Sequence, residues 1–345
     1  MQPVRRQTIR LLAAGIAAPW VAHAGGATGA AGATRATGAT GTGEAWTPQQ
    51  PMRIITWAGA GSAFDVLARM LAENLGKRWA ATVTVENRTG AGGIVGTDAA
   101  VRARPDGSTI LITTNSAHIL NQLLKAKLPF DTARDLQAVS KLADGQTVLA
   151  VAADAPYKTL KEFLDSAGEG SEGRTYSSFA NGSASHLLGD YLQRLSKSKL
   201  IHVPYPGGEM AALTDLVGGR LDASFMSEGT YVNQSKAGKV KGLAITGPRR
   251  TKASPDVPTY GEQGYGEIDL TGWIGAFVPT GTPPAAIAAL STALQDFVKD
   301  PEVNARMDFL GFQPVGNSAQ AFSVDVEKER VRWAELVKAS GFQPQ

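Results

Sequence analysis

The chain has 345 residues, 43% of them hydrophobic and 19% charged, with a formal net charge of +3. This length exceeds that of one ordinary core, so two lobes are expected rather than one. The 34 Lys and Arg residues are scattered along the chain, which argues against a nucleic-acid partner, and the absence of cysteine excludes disulfides, lipid-modified cysteine and thiolate chemistry.

The N-terminus has the pattern of an export signal. A basic start is followed by an apolar stretch at residues 11–21 and by the small-x-small site Ala22-His23-Ala24. The apolar run is shorter than the roughly 20 residues that span a membrane. We therefore expect a signal peptide over residues 1–24, cleaved near Ala24, with export by the Sec route or, given the pair Arg5-Arg6, by the twin-arginine route.

Residues 25–43 are almost wholly Gly, Ala and Thr. This composition cannot bury enough apolar surface to offset the entropy of ordering the chain. We predict a flexible tether over residues 25–50 that makes little contact with the body.

The body alternates short β-branched runs with helical patterns, which predicts βαβ units, each a mostly parallel sheet flanked by helices. Strands are expected at 54–56, 83–85 and 109–112, and helices at 65–78 and 95–103. A second series has expected strands at 148–151, 174–177, 200–203, 221–225 and 242–246, and helices at 160–166, 184–195 and 209–217. The tail offers a strand at 273–278 and helices at 284–299, 301–310 and 319–340.

The tail has too few strands for a third lobe, so we expect it to complete the first. The predicted fold class is α/β with two lobes: lobe 1 comprises residues 51–149 plus 273–345, and lobe 2 comprises residues 150–272.

Two turns between a strand and a helix are candidate ligand contacts. In Gly59-Ala60-Gly61-Ser62, small residues let a ligand approach the backbone, and the free amides of the following helix start favour an anion. Ser62 and Asp65 also form an S-x-x-D capping box. In the counterpart at residues 181–185, Ser183 or Ser185 could cap the helix, donate to a carboxylate, or do both. An ordinary turn is the alternative in each case.

A polar run at residues 113–118 follows the third expected strand and includes Asn115, Ser116 and His118. Open α/β sheets place ligand contacts after such strands. A polar loop without a ligand is the alternative.

The remaining motifs argue against a cofactor, a metal or catalysis. The glycines at 90–96 have the spacing G-x-G-x-x-x-G, one residue longer than the dinucleotide fingerprint, and no P-loop lysine follows. His118, His186 and His202 lack the spacing of metal ligands. There is no G-x-S-x-G elbow, although a secreted α/β hydrolase whose residues converge only in space stays open as an alternative.

Eight ordered runs resemble one family: 61–65 (GSAFD), 85–93 (VENRTGAGG), 104–107 (RPDG), 181–187 (NGSASHL), 202–205 (HVPY), 213–222 (LTDLVGGRLD), 255–259 (PDVPT) and 273–279 (WIGAFVP). This pattern is similar to that of the Bug proteins, the periplasmic receptors of tripartite tricarboxylate transporters. The resemblance covers about residues 52–345.

The resemblance implies a periplasmic-binding-protein fold with two interlobe crossings, which we place at residues 149–153 and 271–275, and a cleft that closes on a small carboxylate. It implies a monomeric periplasmic receptor, without enzymatic activity, that delivers its ligand to membrane permease subunits; a receptor for a membrane sensor kinase is the alternative. The expected ligand-binding residues are Gly61, Ser62, Ala63, Phe64, Asp65, Asn115, Ser116, His118, Asn181, Ser183, Ser185 and Tyr205.

The sequence departs from the family pattern around the expected cleft. Trp57 and Ala60 replace prolines that usually flank the first loop, Pro206 replaces a lysine, and Met226 stands where Asp or Asn is frequent. These changes affect the identity of the ligand more than the fold.

Overall fold

A computed structural model describes residues 46–168, 170–205, 208–268 and 270–340. The predicted signal peptide and residues 25–45 of the predicted tether lie outside these ranges. Trp46, within the predicted tether, packs edge-on against Trp79 at 5.7 Å between ring centroids. The body therefore includes Trp46 of the predicted tether.

Two sheets organise the chain. The first consists of β1 (Met52–Thr56), β2 (Val83–Asn87), β3 (Thr109–Thr114), β4 (Leu136–Gly145), β10 (Gly272–Pro279) and β11 (Gln313–Pro314). Its strands lie in the order β11-β4-β10-β3-β1-β2. The second sheet consists of β5 (Thr147–Ala152), β6 (Arg174–Ser178), β7 (Leu200–Pro204), β8 (Ala223–Ser227) and β9 (Val240–Ile245). Its strands lie in the order β7-β6-β8-β5-β9.

Helices flank both sheets: α1 (Ala63–Trp79), α2 (Ile94–Val101), α3 (Asn121–Leu124), α4 (Thr132–Asp135), α5 (Leu160–Ser166), α6 (Ala184–Ser196), α7 (Glu209–Val217), α8 (Glu228–Lys236), α9 (Pro284–Lys299), α10 (Pro301–Phe309) and α11 (Ala319–Ser340). The predicted fold class is confirmed. Within the described ranges, no helix is long and apolar enough to cross a membrane.

In each sheet one interior strand runs antiparallel to most of the others, and in the first sheet the short edge strand β11 does so as well. β10 is antiparallel to β3 and β4, and β5 is antiparallel to β8 and β9. Each enters its sheet directly after the chain has left the other one. Both crossings therefore lie at the carboxyl ends of the parallel strands, the edge where α/β sheets place their ligands.

The first crossing lies earlier than predicted. β4 ends at Gly145 and β5 begins at Thr147, so the change of sheet occurs at Gln146. The expected crossing at 149–153 and the expected lobe boundary between residues 149 and 150 fall inside β5, which is paired on both sides. A hydrogen-bonded strand interior is a poor place for a change of direction.

The hydrophobic core has one part on each sheet and one part that the two sheets share. Ile54, Leu67, Leu71 and other residues form a cluster on the first sheet, and Val148, Leu213 and other residues form one on the second. A third cluster includes buried residues of both sheets and of α11, among them Trp333. The C-terminal helix thus packs against both halves.

Candidate ligand-binding site

The turn from β1 to α1 is held by a buried carboxylate. Ser62 caps α1, and its hydroxyl accepts from the Asp65 amide at 3.2 Å. The Asp65 carboxylate is 3% exposed and accepts from the Gly61 amide at 2.8 Å, from Asn87 Nδ2 at 2.9 Å and from Arg69 Nε at 3.0 Å. The hydrogen bond from Arg69, together with those from Gly61 and Asn87, lowers the pKa of Asp65 to about 2. The predicted capping box is present, but its acid reaches Gly61 rather than Ser62.

The turn from β6 to α6 repeats this geometry. Ser183 caps the helix and its hydroxyl accepts from the His186 amide at 3.3 Å. His186 Nδ1 accepts from the Gly182 amide at 3.0 Å, as Asp65 does from Gly61. The two glycines have φ values of +71° and +80°, and in each turn the capping serine donates its amide to the carbonyl three residues earlier at 3.2 Å.

Each turn leaves two amides at its helix start for a ligand. Within the described part of the chain, the amides of Ala63 and Phe64 in the first turn donate to no protein acceptor, and neither do those of Ala184 and Ser185 in the second. Unpaired amides at a helix N-terminus carry partial positive charge and favour an anion. Each turn can therefore bind a carboxylate through its backbone.

The serine hydroxyls of the second turn serve the turn itself. Ser183 Oγ donates to the Ala180 carbonyl at 2.8 Å and lies 3.1 Å from Ser185 Oγ, which accepts from the Phe179 amide at 3.2 Å. Ser185 is 2% exposed. Both hydroxyls therefore bond within the turn, and Asn181 is exposed at the tip of the turn.

Three other predicted ligand residues, Tyr205, Phe64 and Ser116, make contacts within the protein. The phenol of Tyr205 donates to Asp215 Oδ2 at 2.5 Å, and burial raises its pKa to about 12. The ring of Phe64 contacts Trp57 and Phe312 at centroid distances of 5.4 and 5.5 Å. Ser116, which is partly exposed, donates its amide to Asn115 Oδ1 at 3.0 Å.

His118 belongs to the aromatic core. Its ring is stacked on Phe277 at 4.1 Å with an interplanar angle of 20°, it lies 6.0 Å from Trp273, and the residue is 4% exposed. Burial lowers the pKa of His118 to about 3, so the ring is neutral at ordinary pH.

A stacked histidine pair, which the sequence analysis had excluded only as metal ligands, supports the second turn. His186 and His202 lie 3.6 Å apart with an interplanar angle of 12°, and His202 Nε2 is 2.6 Å from Ser178 Oγ. Burial, aided by the neighbouring His186, lowers the pKa of His202 to about 4; burial also lowers the pKa of His186, against the opposing effect of Asp190.

Ligand affinity should depend on the protonation of this pair. The Gly182 amide needs an unprotonated His186 Nδ1, and both histidine pKa values lie below the usual 6.5. The stabilising effect of the neutral rings is therefore complete above pH 6.5 and is lost as the pH falls through the lowered values. We expect calorimetric affinity to stay constant above pH 6.5, to fall as the pH drops through the lowered pKa of His186, and to be about tenfold weaker once the ring is protonated.

His186→Asn is the matched variant, because a short side chain at the equivalent position of the first turn, Asp65, already reaches its glycine amide. It should bind at pH 7.5 as the wild type does and lose the acid-sensitive step, whereas His186→Leu should bind about tenfold more weakly at every pH. The same ligand is used throughout, so its own ionisation cancels. An unaltered acid profile in His186→Asn would contradict the assignment.

Two α/β halves that each present the same helix-start turn at their shared edge define a solute-binding protein. Residues 67–342 match the tripartite tricarboxylate transporter family receptors, and the chain belongs to this family. It is 30% identical to the periplasmic binding protein BugD, with a TM-score of 0.75, over 86% of this chain and 100% of that one. The predicted resemblance to the Bug proteins is confirmed.

Two further relatives were solved with ligands. A Rhodopseudomonas palustris protein with adipate is 25% identical, with a TM-score of 0.78, over 86% of this chain and 99% of that one. MatC from Rhodopseudomonas palustris, with bound malate, is 27% identical, with a TM-score of 0.72, over 84% of this chain and 99% of that one.

Proposed function

We propose that this protein is a monomeric periplasmic receptor that captures a small carboxylate between its two matching turns and delivers it to a membrane permease. The observation that carries the proposal is the repeated turn geometry. At each helix start, two backbone amides donate to no acceptor in the described part of the protein. Adipate and malate in the two solved relatives support a carboxylate ligand. Membership of a transporter receptor family supports the permease as partner.

Hydrogen bonds supply most of the binding energy in this arrangement. A hydrogen bond to a charged group contributes about 1.5 to 3 kcal/mol, whereas a helix dipole contributes about 0.3 to 1 kcal/mol. Four backbone donors can therefore bind a carboxylate tightly without a lysine or arginine side chain. Since two donors come from each half, full affinity requires the halves to close on the ligand.

The first test is stabilisation by a panel that contains succinate, malate, citrate, adipate, glutamate and 4-hydroxybenzoate. A ligand present at 100 times its dissociation constant stabilises the folded state by about 2.7 kcal/mol, so the melting temperature should rise by several degrees. The mature protein should be purified without refolding. No stabilisation by any carboxylate would remove the main support for the proposal.

Ligand-induced closure has its own measurement. Movement about the crossings at residues 145–147 and 271–272 should absorb closure in a few residues, so small-angle scattering should give a smaller radius of gyration with saturating ligand. Identical scattering curves with and without a ligand that does stabilise the protein would show that binding occurs without closure.

A further inference from the structure

Two side-chain amides beside the crossings each have one buried atom without a hydrogen-bond partner among the described residues. Asn115 follows β3 and is 3% exposed; its Oδ1 accepts from the Ser116 amide, so Nδ2 is the group left without a partner. Gln146, between β4 and β5, is 9% exposed, and its buried Oε1 has no partner either. Buried polar groups are nearly always hydrogen-bonded, so each of these amides points to a partner that the chain itself does not supply.

Asn115 lies next to Gly272, at the second of the two crossings. Gly272, the first residue of β10, pairs with Gly145, the last residue of β4. A Cβ atom on Gly272 would lie 3.1 Å from the Gly145 carbonyl and 3.9 Å from Asn115 Oδ1. The Asn115 amide therefore borders the same backbone that leads into Gln146.

Gln146 lies where both crossings meet. Its Nε2 is 3.0 Å from the position of a Cβ atom on Gly247, and Thr271 Oγ1 is 3.3 Å from the same position. A Cβ atom on Gly145, directly before Gln146, would meet no atom within 4 Å. Both amides therefore border residues 271–272, and open space adjoins Gly145, directly before Gln146.

The two amides differ in what they can bind. Asn115 Nδ2 only donates hydrogen bonds, and Gln146 Oε1 only accepts them. A hydroxyl group satisfies both, because it accepts from one and donates to the other. A second ionised carboxylate satisfies only Asn115 and would place its oxygens against the oxygen of Gln146.

We propose that Asn115 and Gln146 form a polar subsite for a hydroxyl group of the ligand, so that the receptor selects hydroxycarboxylates over their deoxy analogues. This inference rests on the proposed function, since the two turns hold the carboxylate. A site built to bond a hydroxyl rejects an analogue without one, because the buried polar groups are then left unpaired. Selection by the subsite should therefore reach about tenfold or more.

The experiment compares matched pairs of acids by calorimetry: malate with succinate, citrate with tricarballylate, and 2-hydroxyglutarate with glutarate. Wild-type protein should bind the hydroxylated member of at least one pair about tenfold more tightly. Equal affinities within every pair, with at least one acid bound, would overturn the subsite and leave the carboxylate receptor standing. Failure to bind any of the six would overturn the receptor proposal itself and this inference with it.

Three variants assign the selection to the two amides. Gln146→Met keeps the side-chain length without the amide, and Asn115→Ala removes the donor; each should reduce the preference for the hydroxylated acid to about twofold. Gln137→Met is the control, because Gln137 also has a buried, unpartnered Oε1 on β4 but pairs with Val278 at the far end of the strand. It should keep the full preference.

A preference that survives in both Gln146→Met and Asn115→Ala would overturn the assignment. If Asn115→Ala fails to fold because it loses the bond to the Ser116 amide, Gln146→Met decides alone. The backbone carbonyl of Gln146, which accepts from the Glu228 amide at 3.1 Å, is unaffected by that substitution.

Discussion

Asp65→Ala should reduce carboxylate affinity at least about hundredfold. The carboxylate fixes the first turn through Gly61 and Asn87, and without it the amides of Ala63 and Phe64 lose their common orientation. Two hydrogen bonds to a charged ligand are worth about 3 to 6 kcal/mol together, and each 1.4 kcal/mol is a factor of ten. Calorimetric titration with the best ligand of the panel measures the loss.

The matched control for this substitution is Asp98→Ala. Asp98 also bonds an arginine four residues later, Arg102, at 2.9 and 3.0 Å, but it lies on α2 and does not support the turn. Loss of such an exposed pair should cost less than about 0.5 kcal/mol and leave affinity unchanged. Equal losses in the two variants would show that the first turn is not fixed by Asp65.

The same carboxylate should make stability depend on acid. The pKa of Asp65 is lowered from its usual 3.8 to about 2, so its contribution of about 2 kcal/mol is complete above pH 4 and is lost as the pH falls towards 2. The histidines also take up protons as the pH falls, so the stability of the wild type alone does not report on Asp65. The difference between wild-type and Asp65→Ala urea unfolding curves isolates the carboxylate, and a difference that does not change between pH 5 and 2 would contradict this account.

Gly311→Ala should be the most destabilising of the glycine substitutions at the contact between the two halves. Gly311, in the turn between α10 and β11, has φ +79°, and a Cβ atom there would lie 2.4 Å from the amide nitrogen of Gly229 in α8. The left-handed backbone costs alanine about 1 kcal/mol, and the overlap adds about 1 to 3 kcal/mol. Separation of α8 from the turn would relieve the overlap, so ligand affinity should fall as well.

Gly264→Ala separates the two effects. Gly264 has φ +87°, and a Cβ atom there would have no atom within 4 Å. This variant should lose only about 1 kcal/mol in urea unfolding and bind ligand normally. If Gly311→Ala behaves in the same way, the contact with Gly229 does not constrain the halves.

The sequence predicted the parts of the site whose signals are local. Ser62 and Asp65 stand at capping positions, and Gly61 and Gly182 stand where the turn needs a positive φ, so both turns could be found from residue types and spacing. The direction of each hydroxyl could not, because Ser183 and Ser185 have the same choice of donors and acceptors until their rotamers are known.

Other features had no usable signal. β4 was missed because the run LQAVSKLADG lacks a β-branched core and regular alternation, and its pairing with β10 shifts register twice. Gln146 is a lone glutamine between two strands, and its proximity to Gly247 and Thr271 is set by the fold and has no signal in the sequence. The core position of His118 depends on Phe277, a residue far away in the sequence.

The chain returns to the first sheet through β10 and enters the second sheet through β5, each time after leaving the other sheet. These two strands limit the order in which the chain can fold during synthesis. β10 is the neighbour of both β3 and β4, so before residues 272–279 have left the ribosome the first sheet exists only as separate pieces with unpaired edges. β5 in the same way waits for β8 and β9. Stable tertiary structure is thus postponed until most of the polypeptide has been made, and long-range pairing of this kind also slows folding afterwards.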